Sequence, residues 1–381
     1  MAITNQFELD EPAAVAGGRL PSLTGMRWLA AAMVFAVHAA AQPGILPEGR
    51  VSETLTFVVG MGGYVGVSFF FVLSGFVLTW SMRAGDTARR FWRRRFFKIY
   101  PNHLVTFLVA IAMVLAGTQI NWTGAGLTGV VPNLLLVHAW SPDPAVSFGV
   151  NDVSWSLSVE ALFYLSFPLL IAGIGRIGTH RLWYWTGGVI VAVFCVPLLA
   201  RLLPAEPQLP WEPMPAWQYW FVYVFPVTRM LEFALGILLA RIVRAGIWPS
   251  VPRWAAASAF AAGYTAALFA PGNFGIVAPT VIPLALLIPA AAVADVAGRR
   301  SFLARPVMVW LGNISFAFYL LHELVLKGMY RLAGTEHRPT ALSAVSMVAL
   351  ALAVTVLLSW LLFAFVETPV LRRFGRARRL R

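Results

Sequence analysis

The chain has 381 residues, 59% of them hydrophobic and 12% charged, with a mean hydropathy of +0.74 and a net charge of +13. This balance excludes an ordinary soluble domain and argues for an all-α polytopic membrane protein embedded in the lipid bilayer. The positive charge does not imply a nucleic-acid partner, because the cations fall in loops between apolar runs, as membrane topology requires.

Residues 1–20 carry Glu8, Asp10 and Glu11 and no basic leader, so they read as a cytoplasmic tail and not as a signal peptide. Apolar runs then follow at 23–41, 62–82, 101–117, 154–175, 182–203, 219–244, 253–270, 275–296, 307–330 and 341–366. Most reach the roughly 20 residues a spanning helix needs. The stretch 121–140 is ambiguous, since Gly124, Gly126, Gly129 and Pro132 interrupt it. Charge decides the matter. If 121–140 does not cross and the N-terminus is cytoplasmic, 22 loop and tail cations fall inside and only Arg50, Arg201, Lys327, Arg331 and Arg338 fall outside. If it crossed, every later loop would flip and the bias would vanish. The expected architecture is therefore about ten transmembrane helices plus one re-entrant or interfacial segment, with both termini cytoplasmic. The expected domains are a tail at 1–20, a membrane-embedded unit at 21–370 and a basic cytoplasmic tail at 371–381. The lone Cys195 excludes an intrachain disulfide framework and reads as a small core hydrophobe.

Within this frame certain polar residues stand out. Arg27 and His38 lie eleven positions apart in the first span, about 1,100° of helix, so they share one face about 16 Å apart. Charge at membrane depth is costly and marks function by default, although snorkelling and helix–helix hydrogen bonds are alternatives. In GVSFFFVLSGF, Gly66, Ser68, Ser74 and Gly75 permit close helix approach. The loop RRFWRRRFFKIYP places six cations in ten residues, Arg89 to Lys98. It suits an inner-face anchor, anionic headgroups or a phosphorylated cytoplasmic ligand, with Arg95 and Lys98 one turn apart. In the fourth span Glu160 lies about two turns below the outer edge, with Ser156 and Asp152 on the same face. Arg229 and Glu232, three apart, can pair on their own helix, and Arg229 is also a possible partner for Glu160. Ser315, Tyr319 and His322 form a polar stripe at i, i+4 and i+7, with Glu323 beside it. The histidines are scattered and no second cysteine exists, so no metal site is expected.

Taken together these pieces resemble the acyltransferase-3 family of integral membrane O-acyltransferases, in order from about residue 20 to 370. The resemblance rests on Arg27 and His38 with ten residues between them, on GVSFFFVLSGF, on RRRFFKIYP, on WSLSVE (Trp155 to Glu160), on the block with Arg229, Glu232, Phe233 and Gly236, and on SFAFYLLH. Lys98 stands where the family often has Arg, which keeps the charge and loses the bidentate fork.

The resemblance implies a transferase that moves an acyl group, acetyl or another short one, from cytoplasmic acyl-coenzyme A to a hydroxyl of a sugar-containing acceptor. Acyl-coenzyme A would be a co-substrate, with no permanently bound cofactor. On this reading His38 is the base, Glu160 orients His38 or binds an acceptor hydroxyl, and Arg27 steadies the donor or the developing oxyanion. Arg94, Arg95 and Lys98 would hold the coenzyme phosphates, while Ser315, Tyr319 and His322 would line the acceptor side. Localisation in a bacterial plasma membrane follows. Because the sequence ends at Arg381, just after a basic tail, no extracytoplasmic glycan-handling domain is expected, and the acceptor would come to the membrane core unaided. A compact glycoside such as a macrolide-like natural product fits that requirement, and LPSLTGMRWLAA resembles tailoring acyltransferases of antibiotic producers. The alternatives are O-acetylation of a cell-surface polysaccharide and, from another class, a secondary transporter, against which stands the lack of an inverted repeat.

Overall fold

A computed structural model of the chain describes residues 18–82, 85–117, 126–209, 211–212, 214–334 and 339–375. The expectations for most of the N-terminal tail, for Arg83, for 121–125, for Arg338 and for the basic tail beyond Gly375 lie outside the described residues.

Twelve helices of nine residues or more carry the fold among the described residues. They are α1 (Pro21–Ala41), α2 (Arg50–Gly60), α3 (Gly62–Trp80), α4 (Ala88–Leu115), α5 (Gly126–Leu134) and α6 (Trp155–Gly175). After these come α7 (Leu182–Ala200), α8 (Pro226–Arg244), α9 (Arg253–Phe269), α10 (Phe274–Val296), α11 (Pro306–Ala333) and α12 (Ala341–Leu362). No strand forms among the described residues; one isolated bridge, Gln208 to Pro215, pinches the loop before α8. Helices are what a bilayer demands, since each satisfies its own backbone polar groups.

Nine helical segments among the described residues are long and apolar enough to cross a membrane. The tenth expected run is α9, whose 17 residues pack along α10. A carbon added at Gly263 of α9 would sit 2.4 Å from Pro283 of α10. The second span is longer than its apolar run, because α2 and α3 form one 31-residue segment broken only at Met61. The interrupted stretch becomes α5, nine residues and about 14 Å long, well short of a roughly 30 Å hydrocarbon core.

The backbone after α5 lies among protein groups, which is where non-helical chain at membrane depth is tolerated. Asn133 donates to Gly149 O (2.8 Å) and Ser154 Oγ (3.0 Å), His103 bonds Asn133 O (3.0 Å), and Asn151 donates to Leu320 O (3.0 Å). Asn133, His138, Asn151 and Ser154 are all buried. This polar clamp ties the short segment to α4, α6 and α11.

At the centre α1 packs between α3 and α11, and α3 packs along α8. The small residues of GVSFFFVLSGF make those approaches possible. A Cβ at Gly75 would meet Phe233 O at 2.0 Å, one at Gly236 would meet Val72 O at 2.0 Å, and one at Gly66 would meet Ala30 O at 2.8 Å. Backbones that close leave no room for even a methyl group, so glycine is a packing requirement here.

Candidate active site

Two groups of polar residues meet along the inner face of α1. On the side of the basic loop lies a cavity of about 160 Å³ lined by Arg27, Arg95, Lys98, Glu160, Ser315 and Tyr319, with Phe70, Ser74, Ser156 and Tyr164 among its other walls. Three cations face it against the carboxylate of Glu160. Tyr164 Oη donates to Glu160 Oε2 at 3.3 Å. The Arg95 guanidinium lies over the rings of Phe91 (5.5 Å) and Tyr164 (5.9 Å), and its buried Nε has no hydrogen-bond partner. Lys98 pairs with Glu367, whose other oxygen accepts from Asn102 Nδ2 at 2.6 Å. Arg94 lies outside the cavity walls and pairs with Asp86.

At the other end of α1, His38 meets α11. His38 Nδ1 lies 2.7 Å from His322 Nε2, and the rings stack with centroids 5.0 Å apart. The partners assign the protons. His322 Nδ1 faces Tyr319 O at 2.7 Å and Phe318 O at 3.3 Å; carbonyls only accept, so Nδ1 carries the hydrogen. A neutral His322 then accepts at Nε2, and His38 donates from Nδ1. That leaves the lone pair of His38 on Nε2, free to take a proton. Glu323 Oε2 sits 3.3 Å from His38 Nδ1 without a hydrogen bond of its own. His322 is fully buried, whereas the His38 side chain keeps 32% of its surface open.

The structure thus gathers Arg27, Arg95, Lys98, Glu160, Ser315 and Tyr319 around one cavity and places His38 and His322 together beyond it. Tyr319 connects the two groups. It lines the cavity, bonds Ser156 Oγ (3.0 Å) and Val153 O (3.1 Å), and its ring centroid is 5.9 Å from that of His322. His38 takes its contacts from His322 and Glu323, while Glu160 bonds Tyr164. Arg229 pairs with Glu232 at 2.9 Å and donates to Ser68, so its partner is on its own helix and not Glu160. The residues that the motifs did not single out are Glu367, Tyr164 and Lys327. For Glu367 the only signal was a carboxylate directly after the last apolar run.

His38, His322 and Glu323 also bring three metal-ligand atoms within 4.8 Å of one another. The arrangement fits a hydrogen-bonded pair better than a metal centre. A 2.7 Å nitrogen–nitrogen distance is a hydrogen bond, and the Lys327 ammonium already occupies the flank of Glu323 at 3.6 Å.

A bundle of apolar helices enclosing a cationic cavity beside a paired histidine is a candidate site in a multi-pass membrane protein. The comparisons identify which one. The acyltransferase domain family Acyl_transf_3 matches residues 20–364, and the chain belongs to that family. It is 44% identical over 365 residues to acyltransferase MdmB of Streptomyces mycarofaciens, covering 94% of each chain. It is 28% identical over 323 residues to the exopolysaccharide production protein ExoZ of Rhizobium meliloti, covering 84% of this chain and 92% of that one. A shorter match, 28% identical over 167 residues, covers 40% of this chain and 24% of the peptidoglycan O-acetyltransferase OatA of Listeria monocytogenes. No solved structure matches. The protein is a bacterial membrane O-acyltransferase, which sets aside the transporter reading.

Proposed function

We propose that this enzyme transfers an acetyl or other short acyl group from acyl-coenzyme A to a hydroxyl of a compact, sugar-containing acceptor such as a macrolide-like natural product. The observation that carries the reading is the hydrogen bond that His38 Nδ1 donates to His322 Nε2, which leaves His38 Nε2 free to accept the proton of an attacking hydroxyl. The hydroxyl oxygen attacks the thioester carbonyl, His38 takes its proton, and the sulfur leaves and is reprotonated. Arg27, on the same face of α1, steadies the donor or the oxyanion. Glu160, with Tyr164, takes a hydroxyl or balances the cations. Arg95 and Lys98 engage the coenzyme phosphates from the cytoplasmic end, with Arg94 nearer the exposed rim. Ser315, Tyr319 and His322 form the wall that faces the acceptor. The unit at 21–370 holds the whole reaction.

Arg95→Ala is expected to raise the apparent KM for acetyl-coenzyme A several-fold more than it lowers kcat, since it removes ground-state donor binding. Steady-state kinetics on purified protein check this; an unchanged KM with a collapsed kcat would move Arg95 from binding to chemistry. The topology proposed with this reading has ten spans and both termini cytoplasmic. Cysteines introduced at positions 145 and 178 then label from opposite faces of intact cells, and labelling from one face would refute it.

For the acceptor, the compact-metabolite reading rests on the candidate site lying in a cavity of about 160 Å³ inside the helix bundle, which suits a small, partly apolar glycoside. A second reading, O-acetylation of a cell-surface polysaccharide, is supported by the names of the exopolysaccharide and peptidoglycan relatives. The deciding experiment supplies acetyl-coenzyme A with glycosylated macrolides, lipid-linked sugars or isolated wall glycan and reads ester mass and coenzyme A release. Acetylation of glycan alone, with every small glycoside unchanged, would overturn the compact-acceptor reading.

A further inference from the structure

Beside the histidine pair lies a charge cluster that the reaction outlined above does not use. Lys327 is 1% exposed, deep between α11 and the turn that leads into α6. Its ammonium lies 2.5 Å from Asp152 Oδ2 and 3.6 Å from Glu323 Oε1. The other oxygen of Glu323 is the one held 3.3 Å from His38 Nδ1. Asp152 and Glu323 therefore compete for one cation, and the nearer carboxylate takes most of its field.

We infer that Asp152 and Lys327 are positioning residues for His38 that act through Glu323. The inference rests on His38 being the base. With Asp152 in place, two carboxylates and one ammonium leave a single negative charge facing His38, and Glu323 carries it. Proton uptake by His38 then brings the buried group to neutrality. Without Asp152 the ammonium is left to Glu323, the cluster starts neutral, and the same proton transfer creates an uncompensated cation in a low-dielectric site. Lys327 in turn prevents two carboxylates from facing each other unneutralised, and its bond to Asp152 holds the start of α6 against α11. Neither residue is placed against donor or acceptor in this reading; their effect reaches the reaction chiefly through the charge that Glu323 presents to His38.

The test uses full-length protein in nanodiscs and two readouts. One is kcat and KM for transfer from acetyl-coenzyme A to a glycosylated macrolide. The other is the rate at which diethyl pyrocarbonate modifies His38 at alkaline pH, where the imidazole is the free base in every variant and the rate reads its nucleophilicity; it is followed by peptide mass spectrometry and requires no turnover. Asp152→Asn is expected to lower kcat about tenfold and slow His38 modification several-fold, with KM for acetyl-coenzyme A within about twofold of wild type. Glu323→Gln is expected to do at least as much. Adding Asp152→Asn and Lys327→Met together to Glu323→Gln is expected to do nothing further, because the pair removed is neutral and its route to His38 is already gone.

A further penalty in that Asp152→Asn/Lys327→Met/Glu323→Gln variant would show that Asp152 and Lys327 act as a structural tie and would overturn the inference, as would wild-type values for Asp152→Asn in both readouts. If Asp152→Asn fails to fold, Asp152→Asn/Lys327→Met removes the two opposite charges together and leaves Glu323 alone against His38. That variant is expected to modify at His38 faster than Glu323→Gln, and equal rates would overturn the inference. His38→Ala, measured in parallel, separates the two claims. Transfer retained in His38→Ala defeats the base assignment. An inert His38→Ala beside an unimpaired Asp152→Asn defeats only the present inference.

Discussion

Replacing His38 by alanine is expected to lower kcat by about 10²–10⁴-fold while leaving the fold and the donor KM close to wild type. The range is what a positioned proton acceptor contributes when charge develops in the transition state. His38 is one-third open and its Nδ1 bond goes to one neighbour, so truncation leaves a small void and one unsatisfied acceptor on His322. A residue in that setting affects turnover far more than stability. His322→Ala should be milder in kcat, because it removes the acceptor that fixes the His38 tautomer and leaves Nε2 in place. Steady-state kinetics together with thermal unfolding of detergent-purified variants check both. Wild-type turnover in His38→Ala would remove this histidine from the chemistry and shift the base to another group.

The largest effect on stability is expected at Arg229. Its guanidinium and the Glu232 carboxylate are each 1% exposed, lie 2.9 Å apart and sit on α8 where that helix presses against α3. Arg229 also donates to Ser68 and lies over the rings of Phe71 (5.0 Å) and Tyr223 (5.4 Å). Arg229→Met leaves a buried carboxylate with no counter-charge, which costs about 3–5 kcal/mol in known buried pairs. Arg229→Met/Glu232→Gln removes both charges and should recover most of that loss. The measurement is resistance to unfolding in mixed detergent, with donor binding as a check of the site. A double variant as unstable as the single would mean that Arg229 stabilises through its ring contacts and Ser68, and not by neutralising Glu232.

Much of the architecture follows from one-dimensional patterns. Long apolar runs form helices because lipid leaves backbone groups no other partner, and the glycines of GVSFFFVLSGF mark a close approach because only their lack of a side chain permits it. Spacing along a single helix is equally legible. It puts Arg27 and His38 on one face of α1, Ser315, Tyr319 and His322 in one stripe of α11, and Arg229 within reach of Glu232, since 3.6 residues per turn holds whatever the surroundings. At the margins of length the structure adds detail: α9 has 17 residues, and α2 extends the second span to 31.

The pairings between helices are a different matter, because they depend on which faces meet across hundreds of residues. No spacing rule joins His38 to His322 over a separation of 284 residues, Lys98 to Glu367 over 269, or Lys327 to Asp152 over 175. Those contacts determine which nitrogen of His38 is free, which cation is already neutralised and which carboxylate faces the histidine. Composition and helical periodicity by themselves determined that this chain is a helical membrane protein with a few polar residues set on inward faces. Only the packing of α1 against α3 and α11 decided how those residues combine, because the charge and hydrogen bonding of a buried group belong to its neighbours in space and not to its neighbours in the chain.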